Sequence, residues 1–462
     1  VKQILRFTFI TAATAVVTAC ASLSAGNLFS HYSAQNGAVY QAVASGQYQK
    51  AQDLLPDFVA GDILDNFERG RVSFLNQSYP ESKGYLEDGE RAVRQQQDQA
   101  LISISESASS FGSLAANDNV TSYYPADYEL GFLHLYLALN YLKANSLEGA
   151  LVEIRKANQV QEKAKASRES DLAAAESEMK QEGLAPNLGS ILSNYPDAGE
   201  SLQAVQNGYL LFLSALLYEV SGELNNAYVD YRRALAVMPQ NKEVIDAAVR
   251  VAKTLGMSED LHLLKKQYGD RATLAKGKSR IIVIDEQGTV FAKQGWKQSL
   301  PVLTQGDWAY YSMSLPYYPK QVSSAFTKLK LDGKAFTKSK LVDVNLMAQQ
   351  DLIERMPTIL IRQALRVVAK EQVRRETAKN NDVGNLLVNV WNVLTEQPDT
   401  RSWQTLPADV FSSSKYVDPG EHILSFSGQT YQVTTKEDQT VLVWLSRQGQ
   451  NATVWHKQLG NL

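Results

Sequence analysis

Chemistry-bearing residues are sparse along these 462 residues. The five histidines, His31, His134, His262, His422 and His456, stand far apart, and no His or Asp/Glu cluster has metal-ligand spacing. Cys20 is the one cysteine, which excludes a multi-thiolate metal site and a disulfide within this chain. No G-x-S-x-G, Walker or dinucleotide-binding pattern occurs. The chain is therefore expected to have no catalytic residues, no metal and no cofactor. Two features remain. Cys20 supplies a thiol nucleophile, and Arg362, Arg366, Lys370 and Arg374 recur every four residues, which places them along one side of a helix. That cationic row reads first as a solvated face and otherwise as a contact for the acidic half of the chain or for an anionic ligand; among the polar features it is the candidate for partner binding. Asp399 and Arg401, beside Trp403, suit a structural ion pair better than catalysis.

The surroundings of Cys20 say what its sulfur is for. Lys2 and Arg6 precede an apolar run, Phe7–Val17, which is too short for a permanent membrane helix. Val17-Thr18-Ala19-Cys20 then resembles the lipobox of bacterial lipoproteins, in which the signal peptide is cut before an acylated cysteine. The expectation is a signal peptide over residues 1–19 and a lipidated tether over residues 20–33. Ala21, where aspartate would resemble an inner-membrane retention signal, favours the outer membrane, with the protein facing the periplasm.

The elements that follow are helical hairpins. In Gly208–Pro239, Leu211, Ala215 and Tyr218 share one helical face, Gly222 ends the first helix, and Ala227, Tyr231, Ala234 and Leu235 share a face of the second. Pro239 stops it. Small, aromatic, small and then proline at these spacings resembles the tetratricopeptide (TPR) repeat. Weaker copies are marked by Ala51, Ser82 and Ala150, so a TPR-like helical domain is expected over residues 34–275 with two interruptions. Residues 103–124 read as a polar loop and residues 163–182 as a charged projecting helix. The first helices are apolar at Phe132, Leu135, Leu139, Phe212 and Leu216, where a carboxylate-clamp groove would need lysine, arginine and asparagine. The groove is expected to be filled by the protein itself.

Near Lys278 the pattern changes to strand alternation. Residues 280–285 and 289–292 read as a hairpin about Glu286-Gln287-Gly288, and residues 326–331 and 334–341 as another about Asp332-Gly333. A long helix, bent or broken at Pro357, is expected over residues 343–379, and an apolar helix over residues 384–395. Strands return at residues 420–426, 430–434, 441–446 and 453–457. The aromatic run from Trp308 to Pro319 reads as a strand with core tyrosines rather than a sugar platform. The fold class is thus α+β: a TPR-like α-helical array, then a mixed α/β domain with β-hairpins and an apolar helical hairpin over residues 278–462.

Charge divides the same way. Residues 1–277 hold 24 basic and 32 acidic residues, net −8, and residues 278–462 hold 22 and 17, net +5. Such asymmetry suits docking between the halves or an anionic partner for the second.

The lipobox, Ala116-Asn117-Asp118-Asn119, residues 137–142 with 150–155, and Asp399–Pro407 together resemble an uncharacterised family of gammaproteobacterial TPR-bearing outer-membrane lipoproteins. The resemblance implies an adaptor in cell-envelope assembly and a gene neighbourhood shared with activators of penicillin-binding proteins. The expected partners are the outer membrane, through the lipid anchor, and an envelope protein, with peptidoglycan contact a further option and nucleic acid none. The alternative is a glycan-binding module or enzyme carried by the second half.

Overall fold

The computed structural model describes residues 30–56, 60–105, 123–163, 202–271, 277–304, 307–322, 325–377 and 397–460. Cys20, the serine-rich residues 106–122, nearly all of the charged stretch 163–182 and the apolar stretch 384–395 lie outside them.

Five antiparallel helix pairs come first: α1 (Gly37–Ala44) with α2 (Tyr48–Leu54), α3 (Asp62–Leu75) with α4 (Tyr79–Ser105), and α5 (Asp127–Lys143) with α6 (residues 147–163). Then come α7 (Gly208–Val220) with α8 (Leu224–Val237), and α9 (Lys242–Thr254) with α10 (Ser258–Tyr268). Single-turn helices, Tyr32–Gln35 and Leu202–Val205, precede α1 and α7. The array is TPR-like because small residues sit where the helices cross. Ala51, Ser82, Ala150, Ala227 and Ala234 are fully buried, and a Cβ on Gly70 would come within 2.6 Å of Leu86. Gly222 takes φ +81° after α7, a left-handed turn that glycine adopts without a Cβ penalty. The pair α9/α10 was not singled out by the sequence; α10 buries only Leu264 and lacks the small-residue signature.

The second half begins with β1 (Ser279–Gln287), whose residues are all buried. It lies in a five-stranded mixed sheet with β6 (Ser339–Asp343), β7 (Asp409–Val417), β10 (Thr440–Gln448) and β11 (Asn451–Gly460), in the order β11-β10-β1-β7-β6. β1 runs parallel to β10 and antiparallel to β7. The hairpin expected about Glu286-Gln287-Gly288 therefore does not form. A strand apolar on both faces belongs in the middle of a sheet, and β1 takes its partners from more than 120 residues away. A second sheet, β5-β4-β8-β9, is antiparallel: β4 (Lys330–Leu331), β5 (Lys334–Ala335), β8 (Gly420–Phe426) and β9 (Gln429–Thr435). Its Asp332-Gly333 turn has φ +51° and +77°, the type I′ signature, although the strands it joins are two residues long. β2 (Gln294–Thr304) and β3 (Asp307–Tyr317) pair as a separate ribbon. This agrees with the strand reading of the aromatic run; β2 and β7 were not foreseen. The long helix α11 (Val344–Thr377) continues through Pro357 without a break.

Alternation along β1 sorts the core into layers. Ile282 and Ile284 join Leu442, Trp444 and the helices in one large cluster. Ile281 and Val283 face the other way, into a second cluster with Leu331, Leu424, Phe426 and Val433 of the four-stranded sheet. The five-stranded sheet is thus the middle layer between helices and the smaller sheet.

Candidate partner-binding site

In a TPR array the first helices of successive hairpins line the concave groove. Here a stretch without regular secondary structure, residues 397–408, packs against the first helices α3 and α5. Trp403 is fully buried, its ring 4.8 Å from Phe67 of α3 and 6.0 Å from Tyr136 of α5. The stretch is held by its backbone. The Gln404 N–H donates to Glu68 at 2.7 Å, the Trp403 N–H donates to Glu129 at 2.7 Å, and Arg71 donates from Nε to the Thr405 carbonyl at 3.3 Å. Side chains complete the seat: Thr405 donates to Glu68 at 2.5 Å, Asn36 donates to the Gln404 side chain at 3.1 Å, and the Ser33 N–H donates to Thr400 at 3.1 Å. Acidic helix residues thus grip N–H groups of an internal segment, the reverse of a cationic clamp on a peptide carboxylate. The expected groove-facing residues Phe132, Leu135, Leu139, Phe212 and Leu216 are all buried. Burial pushes the Glu68 carboxyl up to about 7 although three groups donate to it.

A second buried node ties the sheet to the helices. Alternation turns Glu286 toward the helices, where Arg71 meets it at 2.7 Å with neither side chain exposed. Tyr136, Tyr209 and the Trp444 indole also donate to Glu286. The adjacent Asp285 faces the opposite layer and pairs with Arg447 at 2.6 Å. A third buried pair, Arg280 with Glu243 at 3.4 Å, again crosses between the halves. Glu243–Arg280 follows the acidic-to-basic asymmetry of the sequence, whereas Arg71–Glu286 runs against it.

Charge that is not consumed internally lies outside this core. A cleft of about 180 Å³ opens between α11, the chain just before α5, residue 293 and residues 399–401. Asp351 and Arg355, one turn apart on α11, pair at 3.0 Å, and Asp399 and Arg401 pair at 2.8 Å. Asp351 holds the Arg355 guanidinium well above its ordinary range. The Asp399–Arg401 pair is the structural one expected from their types.

Of the cationic row, Arg362 is exposed on α11 and lines this cleft. Arg366, Lys370 and Arg374 follow on the same continuous helix; their side chains lie outside the described residues, as does Cys20. Sequence reasoning missed Lys293, Thr358 and Tyr124, which line the cleft with Arg362. No spacing pattern links residues 124, 293 and 358, so only the fold brings them together. Among the described residues there is no group of three His, Cys, Asp or Glu side chains able to hold a metal, and no helix long and apolar enough to cross a membrane.

No protein-family model and no curated protein matches the chain. Among solved structures, MamA AMB-1 is similar at 13% identity over 52% of this chain and 92% of that one, with a TM-score of 0.29. The TPR2AB domain of yeast Sti1 in its pHSP90 complex is similar at 10% identity over 50% of this chain and 87% of that one, with a TM-score of 0.20. Superpositions this loose transfer no function; the helical-hairpin architecture rests on the packing described above.

Proposed function

We propose that this protein is a lipid-anchored, non-catalytic scaffold of the bacterial cell envelope, held at the outer membrane through Cys20 and facing the periplasm. A TPR-like array is a framework for protein–protein contact, and the groove that normally makes that contact is filled here by residues 397–408. That observation carries the reading: partner contacts must use the outside of the molecule. The basic row on α11 is the side we assign to an acidic envelope protein, because four charges in one register add up to a field that steers an acidic surface in, an effect that salt weakens. The anchor is supported by the residues that surround Cys20, and the absence of a catalytic role by the lack of a catalytic constellation in the sequence.

Crosslinking in intact cells tests the scaffold. Arg366→Glu with Lys370→Glu, at matched expression and melting temperature, is expected to lose the partner captured by the wild type. An unchanged set of partners would reduce the row to a solvated face. Radiolabelled palmitate tests the anchor: incorporation equal in wild type and Cys20→Ser would refute it.

A further inference from the structure

We infer that the cleft beside α11 is a carboxylate-binding site, and that it seats one acidic side chain from a peptide segment of the protein partner. The inference rests on α11 being the docking side and names the contact that fixes the partner in register.

The charges of the cleft can be matched one by one. Arg355 is taken by Asp351 at 3.0 Å, and Arg401 is taken by Asp399 through Nε at 2.9 Å and Nη2 at 2.8 Å. Glu129 accepts from the N–H groups of Trp403 and Ala126 and from the Tyr123 hydroxyl. Glu354 accepts from Gln350 at 2.8 Å. Two cations remain without a carboxylate among the described residues. Among those residues Arg362 is exposed and makes no ion pair, and Lys293 donates to the Arg401 carbonyl, at 3.2 Å. An ammonium on a neutral carbonyl keeps most of its demand for an anion.

The geometry suits a carboxylate. Thr358 and Arg362 are four residues apart on α11, so a hydroxyl and a guanidinium stand on one side of the helix and border the same cleft as Lys293. A guanidinium presents a planar fork that matches the two oxygens of a carboxylate. A cavity of about 150 Å³ holds a benzene ring, so the 180 Å³ here is room enough for an aspartate or glutamate side chain. The resident acidic groups select against higher charge: with Asp351 and Asp399 offset by Arg355 and Arg401, a phosphate dianion on Arg362 and Lys293 would still face Glu129 and Glu354. Tyr124, 58% exposed, and Ile359 give the rim apolar surface for a peptide backbone to lie against.

The test uses the full chain bearing Cys20→Ser, so that it is handled without lipid. A fluorescein-labelled, C-terminally amidated hexaglutamate peptide is titrated by fluorescence anisotropy, with hexaglutamine as the control. Hexaglutamate alone is expected to bind, and more weakly as salt rises. Arg362→Gln and Lys293→Gln are each expected to weaken it about tenfold, the scale of one charge-assisted hydrogen bond, and Arg362→Lys to recover part of the loss. Lys293→Gln retains an amide donor for the Arg401 carbonyl, and unchanged melting of each variant shows that the fold is intact. Equal binding of hexaglutamine, or full binding by both Gln variants, overturns the site. So does a loss confined to a variant carrying Arg366→Gln, Lys370→Gln and Arg374→Gln, which would leave the row as the docking surface without the cleft. Tighter binding of a purified muropeptide than of hexaglutamate overturns the assignment to a protein segment.

Discussion

The concave side of the helical array and the outer side of α11 both collect charge, but they spend it differently. On the concave side Glu68, Glu129 and Glu286 are each met by several donors from the same chain. Around the outer cleft the pairs Asp351–Arg355 and Asp399–Arg401 close locally, and Arg362 and Lys293 have no carboxylate partner among the described residues. A buried charge without partners costs several kcal/mol, so folding consumes it. An exposed charge can wait for a ligand at little cost. Concentration of charge is therefore a poor guide to function in this molecule; the guide is what remains once internal pairing is complete.

The contrast breaks most sharply at Glu286. Glu286→Ala should leave Arg71 charged and unpaired in a dry core, together with the donors of Tyr136, Tyr209 and Trp444. The expected loss is about 3–5 kcal/mol, read from urea denaturation. Replacing the pair together, as Arg71→Met with Glu286→Leu, should recover much of it. A Glu286→Ala protein as stable as wild type would show that the node does not join the two halves.

Glu68 gives the next effect, through pH. Its carboxyl holds its proton up to about 7 in the folded protein, against 4.5 for the unfolded chain. The folded state therefore binds more protons between those values. Stability should fall as pH rises from about 4.5 to 7 and level off above, by at most about 3 kcal/mol at 1.36 kcal/mol per unit. Glu68→Gln should flatten that part of the profile, and a slope identical to wild type would rule Glu68 out as its source. Ala227→Trp comes third. Ala227 and Ala234 are fully buried where α8 crosses α7, and overpacking such a crossing costs about 1–3 kcal/mol. A wild-type melting temperature would show that the crossing has room to spare.

How much of this was legible in the sequence follows from the range of each interaction. The Gly208–Pro239 hairpin could be read because its periodicity, glycine stop and proline stop are local, and Asp332-Gly333 for the same reason. β1 was misplaced because local turn residues suggested a hairpin, whereas its pairing depends on strands beginning near residues 409 and 440. The filled groove was anticipated from the apolar first helices, but not which segment fills it. Trp403 was noticed, yet the carboxylates that hold it and Gln404 in place, Glu129 and Glu68, lie more than 270 residues away. The same distance hid the cleft: Arg362 stood out through its repeat, while Lys293 and Tyr124 carry no pattern of their own.

The smallest expected effect is the one that sharpens the contrast most. Arg362→Gln removes a charge that is exposed and makes no ion pair among the described residues. Surface substitutions of this kind change stability by about 0.5 kcal/mol or less, so its urea midpoint should match wild type. Arg401→Gln is the matched control from the same cleft. It breaks the two-point contact with Asp399, only 7% of its side chain is exposed, and it should cost more than Arg362→Gln. If both variants were equally neutral, the division between charges consumed by folding and charges held in reserve would fail at the cleft itself. If Arg362→Gln were the more damaging, Arg362 would belong to the folded framework, and its role in docking would have to be separated from its role in stability.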